Sequence, residues 1–274
     1  MDIYDTTSMT LSQVLTLRYS TSFGMSSRLF PSNIRPHIYN IYGLVRIADE
    51  VVDTYAGKDM LGILDELERE TTRAAKWGYS ANPIVHAFAL TARRFDFDDS
   101  LITAFFASMR MDINPPTYTK ALYQTYIYGS AEVIGLMCLA VFCDGDKKKY
   151  AALSDGAQHL GAAYQKINFL RDLAADHDAL GRLYFPGLTI KILDEAAKHE
   201  IIDDIIADIN IAQTAISSLP AGSKQAVTLS LHYYGALLKK LTDTPIETIK
   251  HSRVRINNVY KLWLYFLVRI RVLT

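Results

Sequence analysis

Apolar residues recur at intervals of three and four along nearly the whole chain, and the strictly alternating runs that half-buried strands need are scarce. That spacing lines apolar side chains along one stripe of each helix, and such stripes are buried by setting helix against helix. The pattern therefore predicts an all-α bundle.

Helix breakers divide the pattern into elements. A first helix starts around Thr10. Pro31 and Pro36 bracket a turn before a long helix bearing Ile38, Ile41, Tyr42, Val45, Ile47 and Val52, which Gly57-Lys58-Asp59 ends. Residues 59–78 read as a charged amphipathic helix, Asn82-Pro83 opens another, and Arg94 to Asp99 leads into a further one. Asn114-Pro115-Pro116 breaks the chain before a helix from Tyr118 to Phe142, and Gly145-Asp146-Lys147-Lys148-Lys149 reads as a solvated turn. The next helix covers about 150–176 and stops near Gly181, with others near 190–218, 222–242 and 258–270. Neither linker nor low-complexity tract interrupts the series, so residues 1–274 read as one domain with one large core.

The chief functional clue is a repeated interval. Asp49-Glu50-Val51-Val52-Asp53 is answered by Asp172-Leu173-Ala174-Ala175-Asp176, each within a helical segment. Residues four apart share a helix face, so each pair presents two carboxylates to one point. In a chain with 29 acidic residues a single such pair carries little weight. The second pair, however, continues a polar stripe through Gln165, Asn168 and Arg171, flanked by apolar Ile167, Phe169, Leu170 and Leu173. Opposed carboxylate faces repel unless a cation lies between them, and hard oxygen ligands suit Mg2+. Arg46, Arg171 and Arg182 accompany the aspartates, and guanidinium forks match phosphate oxygens, so the combination points to a metal–diphosphate site.

Other features bound the reading. A formal net charge of +0 leaves no basic nucleic-acid footprint. Cys138 and Cys143 lack metal or redox spacing and read as packed thiols in a reducing compartment. No cleavable signal and no uninterrupted run of 18 apolar residues is seen, so a cytoplasmic protein is expected, soluble or peripheral at the inner membrane face. The segment from Tyr123 to Met137 mixes aromatics with Gly129, Ser130, Ala131 and Gly135, and Gly161-Ala162-Ala163 follows. Small residues permit close helix crossings or a void, and beside a metal–phosphate mouth they suggest a channel between helices. Glu132 in that wall has no assigned role. Lys261 to Arg269 is apolar with basic ends and suits either a cap on the core or contact with a membrane.

Taken together, Ser20-Thr21-Ser22-Phe23, Arg46 through Asp53, and Tyr164 through Asp176 continuing to Gly181-Arg182-Leu183-Tyr184-Phe185-Pro186 resemble the squalene/phytoene synthase family of head-to-head prenyl synthases, in a pattern most like bacterial phytoene synthases. Met109-Arg110-Met111-Asp112 and Tyr126 to Met137 are weaker matches.

The resemblance implies an isoprenoid-synthase-type helical bundle around a central cavity. Its expected reaction is Mg2+-dependent condensation of two geranylgeranyl diphosphates to phytoene through a cyclopropylcarbinyl diphosphate, with Mn2+ as a substitute metal. Carried over by position, Asp49, Asp53, Asn168, Asp172 and Asp176 are expected metal ligands. Ser20, Ser22, Phe23, Arg46, Tyr126, Gln165, Asn168, Arg171 and Arg182 are expected to bind substrate. Arg46, Tyr126, Gln165, Arg171, Arg182 and Tyr184 are expected at the reacting centre. No catalytic histidine is required, and His86, His159 and His177 read as surface or core residues. The chain departs from the family pattern at Ser27, where many relatives have an aromatic, and at Ser130-Ala131-Glu132, where they have Val-Ala-Gly. These departures bear on tunnel shape and product. Two alternatives stay open: a squalene synthase, which alone would use NADPH, or a dehydrosqualene synthase, each joining two farnesyl diphosphates; and a non-catalytic assembly protein of the same fold. The oligomeric state is not set by the sequence.

Overall fold

The computed structural model describes residues 2–270, without the side chains of Thr21, Ser22 and Ala179. Every regular element among them is helical: α1 Ile3–Tyr19, α2 Thr21–Ser27, α3 Arg35–Asp53, α4 Met60–Trp77, α5 Pro83–Arg94, α6 Asp99–Ile113, α7 Lys120–Ile127, a π turn Tyr128–Glu132, α8 Val133–Cys143, α9 Lys147–Leu180, α10 Glu195–Ser217, α11 Ala221–Asp243, α12 Ile246–Ile249 and α13 Asn258–Arg269.

Side-chain caps set the boundaries and correct several sequence expectations. Asp2 accepts from the Asp5 N–H, so α1 starts at Ile3 and not near Thr10. Ser20 ends α1 and caps α2 by accepting from the Phe23 N–H at 3.2 Å, a break that the sequence reading missed. Thr119 caps α7, which leaves Tyr118 outside the helix. Asp146 caps the Lys149 N–H at 3.0 Å, which draws Lys147 to Lys149 into α9 and not into a solvated turn. Asp194 likewise delays α10 to Glu195. Gly181, at φ +64°, ends α9 in a left-handed conformation that costs glycine little.

The 34-residue α9 is the axis of the molecule, with α10 along one side and α8 and the π turn along the other. Phe88, Phe105, Phe106, Ile38 and Ile41 fill a core shared by α3, α5 and α6, and each such side chain contributes about 1.5–3 kcal/mol on burial. A second core, with Tyr126, Phe169, Leu170, Leu173 and Tyr184, lies between α7, α9 and the loop after α9. The stretch Lys120–Cys143 is long and apolar enough to cross a membrane, yet it lies largely buried within the bundle.

Small residues set how closely the helices approach. A methyl group on Gly161 would stand 2.6 Å from the Ala131 carbonyl oxygen, and one on Gly135 would stand 2.5 Å from that of Ala157. The glycines thus make tight crossings, and the channel that the sequence suggests runs beside them.

Candidate functional site: an acidic mouth on a long cavity

A cavity of about 1030 Å³ opens between α3, α9 and the elements that enclose them. Its α9 wall carries Leu153, Gly156, Leu160, Tyr164, Asn168, Asp172 and Asp176, at the three- and four-residue intervals of one helix face. The nineteen-residue separation of Leu153 and Asp172 spans about 28 Å of helix. Phe30, Ile38, Leu139, Phe142 and Leu219 make other parts of the wall apolar.

Asp49, Asp53, Asp172 and Asp176 all line this one cavity, with Arg46, Arg171 and Arg182 among them. Each guanidinium is held by a carboxylate: Arg46 by Asp49 at 3.2 Å, Arg171 by Asp172 at 2.9 Å, and Arg182 by Asp53 at 2.6 Å. Desolvation pushes the Asp49 carboxyl up to about 7, against the pull of Arg46 and with help from Asp53. Burial and then the Asp172 charge raise Asp176 to about 7. The mouth is thus a place where negative charge is costly without added cations.

Asn168 places a buried Oδ1 with no hydrogen-bond partner on the same α9 face. Among the described residues no three acidic, histidine or cysteine side chains converge closely enough to enclose an ion by themselves. The donors are nonetheless hard oxygens, one of them unpartnered, and they suit Mg2+ shared with phosphate oxygens.

Sequence reasoning gave no role to two residues that the structure places in the site. Asp112 is buried and accepts hydrogen bonds from the Tyr126 hydroxyl at 2.8 and 3.0 Å and from the Tyr184 hydroxyl at 3.0 Å. Burial raises its carboxyl to about 6, although Arg182 and the two hydroxyls draw it down. Arg182 donates to the Asp112 and Val52 carbonyls at 3.0 and 2.9 Å, so it ties α3, α6 and the loop after α9 together as well as facing the mouth. Arg253 holds Asp172 at 2.6 Å from a segment without helical periodicity. Asp112 lacks an acidic partner four residues away, and only its place in Met109-Arg110-Met111-Asp112 hinted at it.

The other expected residues divide plainly. Ser20, Phe23 and Gln165 line the cavity, and Phe23 stacks on Tyr42 with ring centroids 3.8 Å apart. The Ser22 side chain lies outside the described residues. Ser27 is fully buried with its Oγ 3.1 Å from the Tyr39 hydroxyl, so a polar pair fills this position. Glu132 accepts from Gln158 at 3.1 Å and is half-buried, which settles it as a paired group. His86, His159 and His177 pair with Asp5, Asp208 and Asp178, away from the residues lining the cavity. Cys138 and Cys143 are free thiols whose ionisation burial opposes.

An all-α bundle around a deep cavity with this mouth is the isoprenoid-synthase architecture. It is shared with a solved dehydrosqualene synthase, at TM-score 0.82 and 18% identity over 98% of this chain and 97% of that one. A squalene synthase from Alicyclobacillus acidocaldarius matches at TM-score 0.77 and 22% identity, covering 93% and 98%. Residues 16–259 match the squalene/phytoene synthase family model, and the chain belongs to that family. Its relatives include a 15-cis-phytoene synthase from Paracoccus sp., 30% identical over 61% of this chain and 56% of that protein, and a presqualene diphosphate synthase from Zymomonas mobilis, 26% identical over 92% and 90%. The aligned stretches span 56% and 60% of the Paracoccus and Arthrospira platensis phytoene synthases. Membership makes the chain a prenyltransferase-type protein of a head-to-head condensing family in which a divalent-metal mechanism is typical.

Proposed function

We propose that the chain is a cytoplasmic, single-domain phytoene synthase that joins two geranylgeranyl diphosphates head to head through a cyclopropylcarbinyl diphosphate. The observation that carries this reading is the union of the carboxylate–arginine mouth with an α9 wall about 28 Å long. An extended carbon chain advances about 1.2 Å per bond, since three backbone bonds span about 3.5 Å, which makes a geranylgeranyl tail roughly 19 Å and a farnesyl tail roughly 14 Å. The wall is long enough for either tail, and the recurrence of phytoene synthases among the relatives favours the longer one.

Asp49, Asp53, Asn168, Asp172 and Asp176 are the residues that would hold Mg2+. Bound there, Mg2+ supplies positive charge to the departing diphosphate and so lowers the cost of breaking its allylic C–O bond. Arg46, Arg171 and Arg182 are already held at the mouth by carboxylates, and phosphate oxygens can take the same N–H donors. Ser20, Phe23 and Gln165 position the substrates beside them. Tyr126 and Tyr184, fixed by Asp112, keep their hydroxyls at set positions near Arg182, while the apolar wall excludes water from the allylic cation.

The test supplies C15 and C20 diphosphates separately with Mg2+ or Mn2+, each with and without NADPH, and identifies the extracted hydrocarbons by mass spectrometry. Phytoene from the C20 substrate without reductant is expected. Exclusive use of C15 overturns the phytoene reading: NADPH-dependent squalene would indicate a squalene synthase, and reductant-independent dehydrosqualene its non-reducing relative, in line with the 4,4'-diapophytoene synthase of Staphylococcus haemolyticus, 26% identical over 69% of this chain. No coupled product from folded protein would favour an assembly role.

A further inference from the structure

Each arginine of the mouth is held by a carboxylate to which a metal ion is also assigned. A cation on that carboxylate repels the guanidinium beside it, so an arginine with no second anchor is loosened as the site fills. Arg182 has a second anchor in the Val52 and Asp112 carbonyls, at 2.9 and 3.0 Å. Arg171 has none among the described residues and bonds Asp172 alone.

Arg46 has a second anchor of another kind. Its Cζ lies 4.7 Å from the centroid of the Tyr19 ring, and its Nη1 is 4.0 Å from the Glu50 Oε1, beside the 3.2 Å contact with Asp49. Desolvation and then Glu50 push the Tyr19 hydroxyl up while Arg46 pulls it down, so the end of the ring reaches the same two charges. Tyr19 is the last residue of α1 and is 49% exposed, which means that packing does not account for its position. The Thr16 hydroxyl, one turn earlier, donates to the Tyr39 carbonyl at 3.3 Å and fixes this end of α1 on α3. Tyr19 and Arg46 both line the cavity.

The geometry suits an arginine that must keep its donors available. A ring holds a guanidinium by its face and leaves the in-plane N–H groups free, and at 4.0 Å Glu50 attracts the charge without taking a hydrogen bond. We propose, building on the metal–diphosphate reading of the mouth, that Tyr19 and Glu50 are positioning residues that keep the Arg46 guanidinium in place once Asp49 serves a metal ion, so that its N–H donors meet the diphosphate.

The experiment titrates the purified full chain with inorganic pyrophosphate in the presence of Mg2+ and measures affinity by calorimetry, which needs no turnover. Tyr19→Leu and Glu50→Gln should each weaken binding about three- to tenfold, and Tyr19→Phe, which keeps the ring, should stay within about twofold of the parent. In an Arg46→Met background Tyr19→Leu should have no further effect, because Tyr19 acts through that arginine. With geranylgeranyl diphosphate, KM should rise in Tyr19→Leu by more than kcat falls. Parent-like affinity in both Tyr19→Leu and Glu50→Gln overturns the proposal while leaving the metal–diphosphate reading intact. A Tyr19→Leu loss that persists in full without Arg46 also overturns it, since Tyr19 would then touch the ligand itself, and so does an equal loss in Tyr19→Phe, since the hydroxyl and not the ring would then be responsible. A parent that binds no pyrophosphate with Mg2+ overturns the reading of the mouth and this role with it.

Discussion

Replacing Gly161 by alanine should destabilise the protein, whereas the same change at Gly235 should stabilise it, although both glycines are inside helices. At Gly235 a new methyl group meets no atom within 4 Å. The substitution there removes backbone freedom from the unfolded chain and gains about 0.4–1 kcal/mol. At Gly161 the methyl carbon would lie 2.6 Å from the Ala131 carbonyl oxygen, 3.0 Å from its carbon and 3.2 Å from the Glu132 Cα. All three obstacles are main chain, so no side-chain rotation relieves them, and α9 must move away from the π turn. Overpacking of this kind costs about 1–3 kcal/mol, and the helix-propensity gain of about 1 kcal/mol offsets part of it. Because only main chain can yield, the cost falls in the upper part of that range, about 2–3 kcal/mol, and a net loss of about 1–2 kcal/mol is expected for Gly161→Ala. With about 2–4 °C per kcal/mol for a chain of this size, a gap of about 1.4–3 kcal/mol between the two variants makes them melt some 3–12 °C apart, on opposite sides of the parent. Circular dichroism melts and urea titrations with an unchanged m-value would measure this. The displacement also carries Asn168 and Asp172 with α9, so turnover by Gly161→Ala should fall about tenfold or more. Equal melting temperatures, or a Gly161→Ala protein more stable than the parent, would refute the close crossing of α9 and the π turn.

Turnover by Asp49→Asn and by Asp172→Asn should fall by at least about a hundredfold with helicity retained, and unchanged product formation in both would sink the metal assignment. Arg182→Ala should lose about 2–4 kcal/mol of stability as well as activity, because the 5% exposed guanidinium serves two carbonyls and two carboxylates; Arg171→Ala should lose activity with a smaller change in urea midpoint. Arg253→Gln should raise KM for prenyl diphosphate more than it lowers stability, and an unchanged KM would make its contact with Asp172 purely structural. For chelator-treated protein, the folded Asp49 carboxyl near 7 lies above its unfolded value of 3.8, so the folded state binds more protons between those limits. The stability this contributes is complete below about pH 4 and is lost as pH rises through 7, so Asp49→Asn should gain stability relative to the parent from pH 5 to pH 8; a constant gap in urea midpoint would contradict the desolvation of that carboxyl.

The helical class, the order of the long helices and the face shared by each aspartate pair are properties of local spacing, and the sequence determined them. Asp49 and Asp53 must lie together on α3, as Asp172 and Asp176 must on α9, whatever else the chain does. Caps written in single side chains were harder to read: Asp2, Ser20 and Asp146 each moved a boundary because one oxygen accepts one N–H. Tertiary structure alone decided that both pairs open into one cavity, and that Asp112 gathers Tyr126, Tyr184 and Arg182 from as far as 72 residues away. It also decided that Gly161 touches backbone while Gly235 touches nothing, and that α13 buries Leu264 and Val268 while Trp263 and Phe266 stay in water. The physical reason is range. Periodicity and capping act within a turn or two of helix, whereas desolvation, ion pairing and steric contact depend on which distant segments the fold brings within a few ångströms.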